Sequence, residues 1–298
     1  MCGIGGIYFK NPGRSQKTGE VAYRILDSIR RRGQDSTGVA LWQANEDGAL
    51  FVDVNYEEPG WGPRIVEHLD TVGKVEAVAD HEGYVRAAIR YSGSDRELVD
   101  GIDAIDECVT VASIGDHVEI IKNIGTVDRL EEAFHLTHYD GPVAMGIVRN
   151  ATESRVDFSH AQPLSARSFR DILIMHNGHI TNYHRLRWAY ENKGYTFTTG
   201  NDSEICAVVI ADVMAEGGSF EDALKESIVV IDGSFTYVAM TKDAIGLVKD
   251  QFGFKPMVVA ENDEFMVMAS DSWAIREGVQ SDMDVWEPGA GAVLVWRL

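Results

Sequence analysis

Met1-Cys2-Gly3-Ile4-Gly5-Gly6-Ile7-Tyr8-Phe9 opens the chain. This short apolar run with interspersed glycines reads as a strand at the extreme N-terminus. Apolar residues at helical spacing from 20 to 32, ending in Arg30-Arg31-Arg32, place a helix after it. Loss of Met1 would leave Cys2 with a thiol and a free α-amino group on one residue. An α-amino group titrates near about 7.7–8.0, so at neutral pH a useful fraction is unprotonated and can take the thiol proton. One residue then serves as nucleophile and base. A second-position cysteine standing alone reads more readily as an incidental or buried residue.

Beyond Phe9 the chain alternates strand-like and helical stretches up to about residue 140, with turn signals at 45–48, Pro59-Gly60 and Ser92-Gly93-Ser94. The stretch from about 45 to 140 carries no motif that assigns chemistry. From Gly141 onward strands fall at 143–148 and 172–176, and helices at 183–193, 204–214 and 220–229. Strands follow at 235–240, 245–249, 257–259, 265–269 and 292–296. Strands come in groups and helices in groups, which predicts an α+β fold with mostly antiparallel sheets rather than a regular βαβ alternation. No repeat, low-complexity tract or linker interrupts the chain, so residues 1–298 are expected to form a single domain with a variable stretch at about 45–140.

A chain of 298 residues has room for a sizeable core, and its 45% hydrophobic content is ordinary for a globular protein. No window approaches the roughly 18 apolar residues of a membrane span, and no targeting segment opens the chain, so a soluble cytoplasmic protein is expected. The formal charge of -20 repels nucleic acid and anionic membranes. Cys2, Cys108 and Cys206 share no metal-ligand spacing, so neither a zinc site, a cysteine-ligated cluster nor a disulfide is expected in this chain. His135 and His138, three apart on an expected helix, lack a ligand pattern, and no metal site is assigned to them. Gly3-Ile4-Gly5-Gly6 fails the dinucleotide pattern, having no strand before it.

Cys2 is followed, in order, by Arg32-Gly33-Gln34-Asp35-Ser36-Thr37-Gly38, Arg149-Asn150-Ala151-Thr152, His176-Asn177-Gly178 and Asn201-Asp202-Ser203-Glu204. This succession resembles the class II glutamine amidotransferases over nearly the whole chain, most thinly between about 45 and 140. The resemblance implies the four-layer αββα sandwich of the N-terminal-nucleophile hydrolases, with glutamine as substrate and Cys2 as nucleophile. Glutamine offers a carboxylate, an ammonium and an amide, so its site needs a cation, an anion and donors at the amide oxygen. Arg149 resembles the family arginine that forks onto the α-carboxylate, a task suited to a planar guanidinium. Asp202 matches the carboxylate that receives the α-ammonium, and Thr152 a position that helps hold the substrate. Asn177 and Gly178 resemble the oxyanion hole, through a side-chain and a backbone N–H. Asn-Gly is also a strong turn signal, so a tight turn after the strand is expected there. Arg32 and Gly33 resemble the pair that packs beside the nucleophile. Asn150 and Glu153 occupy places where other branches differ, Gln34 stands where many members have proline, and Ser203 where threonine is usual.

The C-terminal half, with Lys255-Pro256 and Trp286-Glu287-Pro288-Gly289, resembles the short amidotransferase subunits related to glutamate synthase, nearest those of N-methylglutamate synthase and archaeal glutamate synthase. That resemblance implies a glutaminase that supplies ammonia to a separate synthase subunit, with FMN and iron–sulfur clusters on the partners and no cofactor here. Two other readings stand beside it. Another N-terminal-nucleophile amidohydrolase would keep Cys2 and Asn177 but have no need of Arg149 and Asp202 together. A catalytically silent interaction subunit would retain Met1.

Overall fold

The computed structural model describes every residue except Pro12, Ser15, Glu46, Glu82 and Glu153. Glu153, considered above, thus lies outside the described residues. Strand β1 (Gly3–Phe9) leads through helix α1 (Thr18–Ser28) to β2 (Ser36–Trp42). Then come β3 (Leu50–Tyr56), α2 (Trp61–Val72), β4 (Lys74–His81), β5 (Tyr84–Arg90), α3 (Asp95–Asp103) and β6 (Val109–Gly115). The chain continues with β7 (Val118–Ile124), α4 (Val127–Phe134), β8 (Val143–Arg149), β9 (Leu164–Ser165) and β10 (Leu173–Ile180). Helices α5 (Tyr183–Asn192), α6 (Glu204–Ala215) and α7 (Phe220–Val230) precede β11 (Gly233–Met240), β12 (Ala244–Lys249), β13 (Val258–Glu261) and β14 (Phe265–Ala269). Helix α8 (Ser272–Val279) and β15 (Val293–Arg297) close it.

Two antiparallel sheets stack face to face, one ordered β13-β14-β1-β8-β2-β7, the other β15-β12-β11-β10-β9. Strand periodicity sorts the side chains into layers. On β1, Ile7 and Phe9 face out under α1 and α8, meeting Val21, Ile25 and Ile275, while Ile4 faces in among Met145, Ile147, Met175, Val238 and Leu247 between the sheets. On the far side α6 and α7 cover the second sheet, with Ile205, Val209 and Leu224 against Ile174, Phe235 and Tyr237. The result is the αββα sandwich. Gly5 shows how tightly α1 presses on β1, since a Cβ there would lie 2.5 Å from Ile25 Cγ2.

The stretch without a motif forms a third sheet, ordered β4-β5-β3-β6, with α2 and α3 on one face. This βαββαβ unit has the split βαβ arrangement of ferredoxin-like folds. Ile65 and Leu69 of α2 and Leu98, Val99 and Ile102 of α3 close its own core over Val52, Val54, Val85 and Val111, each such side chain contributing roughly 1.5–3 kcal/mol when fully buried. It enters between neighbouring strands, because Trp42, which ends β2, lies opposite Val118, which begins β7.

Three local expectations change. Arg30–Arg32 is a 3-10 turn rather than the end of α1: N–H groups of Arg32 and Gly33 bond three residues back, tightening the chain before it enters β2. His135 and His138 do not share one helix: α4 stops at Phe134, His135 takes a left-handed conformation (φ 51°), and His138 ends a separate 3-10 turn, Leu136–His138. Helix α8 escaped the periodicity; it is started by Asp271, whose Oδ1 accepts the Trp273 N–H at 3.0 Å.

Asp171 ties the return of the inserted unit to the second sheet. Its Oδ1 accepts the N–H groups of His117 (2.9 Å) and Val118 (2.7 Å), and its own N–H donates to Ile114 O at 3.2 Å. Asp171→Ala is expected to cost roughly 1–3 kcal/mol for each buried N–H left unpaired, read as a lowered urea midpoint. Asp171→Asn, which keeps an acceptor, should recover most of it. An unchanged midpoint in Asp171→Ala would show that these donors find other partners.

Candidate active site

Cys2, Arg149 and Asn177 arrive at one end of the cleft between the two sheets by the period of the strands that carry or adjoin them. Gly3 pairs with Val148, so Cys2 comes beside Arg149. Ile4 faces the inter-sheet layer, as do Met145 and Ile147 of β8, and the alternation gives Cys2 and Arg149 the same face. Leu173 and Met175 of β10 point into that layer from the opposing sheet, so Asn177 points toward Cys2 from across the cleft. Cys2 is half-buried, its Sγ 3.7 Å from Asn150 O.

Arg149 is 3% exposed, and among the described residues no carboxylate lies within 4 Å of its guanidinium. Its N–H groups instead donate to Ser154 Oγ (2.5 Å) and to Arg155 O (3.2 Å). Burial lowers its pKa, opposed by the nearby acidic groups, among them Asp157, Asp35 and Asp202. The guanidinium is therefore a buried cation held by the loop that follows it, with the carboxylate of Asp202 in electrostatic reach.

Gly33 and Asp35 buttress the Arg149 backbone. A Cβ on Gly33 would fall 2.3 Å from Arg149 C, so only glycine fits that approach. The Asp35 N–H donates to Arg149 O (3.1 Å), and Asp35 Oδ2 accepts the Ala151 N–H (2.8 Å). Arg32 lies beneath the start of β1, its Cδ 3.0 Å from where a Gly3 Cβ would be, and donates to Ser270 O at 3.2 Å. Ser270 in turn clasps Ile4 at both backbone groups, 2.9 and 2.8 Å. Thr152 is exposed and makes no hydrogen bond among the described residues.

Asn177 and Gly178 form no turn. Both lie within β10, paired with Thr236 and Phe235 of β11. Glycine is needed because a Cβ on Gly178 would sit 2.3 Å from Ser234 O. Strand β9 covers β10 only at Leu173 and Ile174, leaving the edge beyond open. Along that edge the His176 N–H is taken by Gln162 Oε1 (2.6 Å) and the Ile180 N–H by Asp202 Oδ2 (2.8 Å). Gly178 N–H points to the same edge between them, unclaimed by the ladder. Asn177 is 3% exposed, and its side-chain Nδ2 is buried without a hydrogen-bond partner. Two donors thus await an acceptor beside Cys2.

A polar network that sequence reasoning missed fixes this edge. His176 Nδ1 pairs with Ser203 Oγ at 2.7 Å, and Gln162 Nε2 donates to Ser203 Oγ (3.2 Å) and His176 O (3.1 Å). The Asn-Asp-Ser-Glu motif is shaped locally: Asn201 Oδ1 accepts the Ser203 N–H, and Glu204 captures Thr198 and Thr199. His176 and Ser203 were visible within quoted motifs, as was Asp35; Gln162 carried no signal, since nothing in its neighbourhood marks it as facing β10. Burial lowers the His176 pKa, so the folded protein keeps it neutral where the unfolded chain, near about 6.5, begins to protonate. Its contribution to stability is complete above the unfolded value and lost as pH falls through and below it. His176→Asn should therefore reduce the proton uptake on unfolding between about pH 6.5 and 5, measured from urea midpoints across that range. An unaltered pH slope would mean His176 titrates equally in both states.

Comparisons with known proteins bear on the family and the fold. A family model described as a glutamine amidotransferase domain matches residues 150–277. A protein of Methanothermobacter thermautotrophicus, provisionally named a glutamine amidotransferase, is 34% identical over 310 residues and is covered in full, as is this chain. The glutamine amidotransferase-like protein GlxB of Rhizobium meliloti is 30% identical over 302 residues, covering 99% of this chain and 98% of that protein. Among solved structures, the glutamine phosphoribosylpyrophosphate amidotransferase of Bacillus subtilis superposes on 99% of this chain with a TM-score of 0.65 at 18% identity. That likeness concerns the fold alone, and the chain spans about half (47%) of that enzyme's length. With two relatives matched over all or nearly all of their length, the chain belongs to the glutamine amidotransferase family, and its αββα sandwich is the fold of the solved phosphoribosylpyrophosphate amidotransferase.

Proposed function

We propose that the mature chain hydrolyses glutamine through a thioester on Cys2 and passes the ammonia to a separate, glutamate-synthase-like subunit. The observation that carries the first half is the buried, partnerless Nδ2 of Asn177 on the face that looks toward Cys2. A buried donor left unpaired costs roughly 1–3 kcal/mol, a cost that a site recovers when charge develops at that point in the transition state. Met1 is 63% exposed and accessible to an aminopeptidase. Its removal frees the Cys2 α-amino group. That amine takes the Sγ proton as sulfur attacks the amide carbon, and the negative oxygen falls to Asn177 Nδ2 and the Gly178 N–H. Collapse breaks the C–N bond, the amine returns its proton to the leaving ammonia, and water then hydrolyses the thioester to glutamate. Arg149 forks onto the substrate α-carboxylate and Asp202 receives its ammonium; Thr152, now exposed, joins only if the loop carrying it closes.

Cys2→Ala should abolish glutamate release and Asn177→Ala should lower kcat by about 10²- to 10³-fold. Arg149→Lys should raise KM sharply, because one ammonium cannot replace a planar fork. Intact-mass measurement should find Cys2 at the N-terminus of the active protein; a fully active preparation that retains Met1 would sink the mechanism.

Support for a partner comes from two exposed aromatic residues beside the proposed oxyanion hole. Phe252 and Phe254 are 61% and 76% exposed and stack with centroids 5.8 Å apart. Asp250 holds their loop, accepting from the Phe252 and Gly253 N–H groups while its other oxygen accepts from Phe235 N at 2.7 Å. Phe235 lies opposite Gly178, and Lys255 O accepts from Thr236, opposite Asn177. An apolar platform bonded to the back of the site suits a partner that seals it from water. Adding a glutamate-synthase-like synthase subunit should stimulate glutamate release, and Phe252→Ser with Phe254→Ser should remove the stimulation while leaving basal hydrolysis intact. Equal activity with and without that subunit would reject the docking.

A further inference from the structure

A cleft of about 1040 Å³ lies between the inserted βαββαβ unit and residues 155–160, which continue the loop that holds Arg149. The volume matches the upper end of small-molecule sites, which favour such junctions. Lys122 lines it from β7, 1% exposed. A buried ammonium calls for a counter-charge, yet among the described residues no carboxylate lies within 4 Å of it, and its Nζ makes one long contact, 3.4 Å to Ala161 O. Burial lowers its pKa to about 8, opposed by Asp53, Asp157 and Glu204. Glu58 and Glu107 also line the cleft, both exposed, and among the described residues neither carboxylate makes an ion pair or hydrogen bond. Phe134 and Phe158 supply apolar wall. A buried cation inside, free carboxylates at the rim and an apolar wall complement a small molecule carrying a carboxylate and an ammonium, and the acidic rim disfavours a polyanion.

We propose that this cleft is a second ligand site for a free amino acid, with its carboxylate on Lys122 and its ammonium toward Glu58 and Glu107, coupled to the Arg149 pocket through Arg155. The coupling has a physical path. The Arg155 carbonyl accepts from the Arg149 guanidinium, while the Arg155 side chain reaches Glu57 of the inserted unit (3.7 Å) and Asp157 (3.2 Å). Phe158 packs on the same unit, stacked on Tyr84 with centroids 6.2 Å apart. A ligand that draws on these groups moves the carbonyl holding Arg149. The coupling rests on the proposed role of Arg149; the binding does not.

The test is calorimetric titration of the full chain with L-alanine, L-aspartate and L-glutamate, against pyruvate, which lacks the ammonium, and inorganic phosphate. Saturable binding of an amino acid is expected in the wild type and in Arg149→Ala, weakened about tenfold or more in Lys122→Met. Lys122→Met removes a buried charge at similar volume, so its thermal midpoint should not fall. Glu107→Gln, at the exposed rim, should weaken the amino acid and spare pyruvate, which keeps the proposal testable if Lys122→Met fails to fold. Binding that survives Lys122→Met, that is lost in Arg149→Ala, that favours phosphate, or that no amino acid shows would overturn the site. The bound amino acid should also shift KM for glutamine in the wild type and not in Lys122→Met. Absence of that shift with binding intact would remove the coupling alone, and absence of any glutamine hydrolysis would count against the proposed function, not against the cleft.

Discussion

The hydrogen-bonded ladder between β1 and β8 is the constraint on which the site depends. It is a central pairing, with β14 on the other edge of β1 and β2 on the other edge of β8, so neither strand can slide without breaking two ladders. A one-residue slip of β1 would turn Cys2 and Ile4 to the helix-covered face, away from Arg149. The proposed nucleophile at the very end of the chain, where termini ordinarily fray, is thereby held as firmly as core. Ser270 adds to this by bonding both backbone groups of Ile4, and the Gly5 contact lets α1 clamp the strand from outside.

Against that rigid frame, the opposing strand is left deliberately unsatisfied. Backbone donors of His176 and Ile180 are consumed by Gln162 and Asp202, and the His176 ring by Ser203. Among the described residues, the Asn177 Nδ2 and the Gly178 N–H between them are left without a partner on the side toward Cys2, while on the opposite face of β10 His176 Nε2 is also unpartnered. Asp202 thus has two tasks that share one geometry: one oxygen pins β10, and its charge lies near the position proposed for the substrate ammonium. Because its neighbours are fixed, the unpaired edge keeps its shape without a ligand, which is the preorganisation that electrostatic catalysis requires.

The inserted unit leaves this frame undisturbed because Trp42 and Val118, the residues it joins, are ladder partners whether or not anything lies between them. It buries its own helices on its own sheet and meets the sandwich through polar groups: Tyr84 donates to Ile120 O (2.7 Å), and Ser113 to Asp53 (2.6 Å) within its inner face. A surface gained in this way can carry a binding function of its own while the catalytic ladder stays constant.

The sequence by itself determined the α+β layering and the position of β1, because short-range periodicity is a property of the chain, and its motif order singled out Cys2, Arg149, Asn177, Gly178 and Asp202 as a candidate group. Local signals were also enough for α5, α6 and α7, whose observed spans fall within a residue or two of those expected. Only the tertiary structure decided that Asn177-Gly178 is strand rather than turn, since the pairing with Thr236 and Phe235 comes from residues far along the chain and overrides a local preference. It alone enlisted Gln162, whose role depends on a loop folding across β10, and Asp35, whose partner is 116 residues away. The fold of residues 50–115 escaped the sequence for the same reason: what makes the unit a sheet is a strand order that no local pattern encodes.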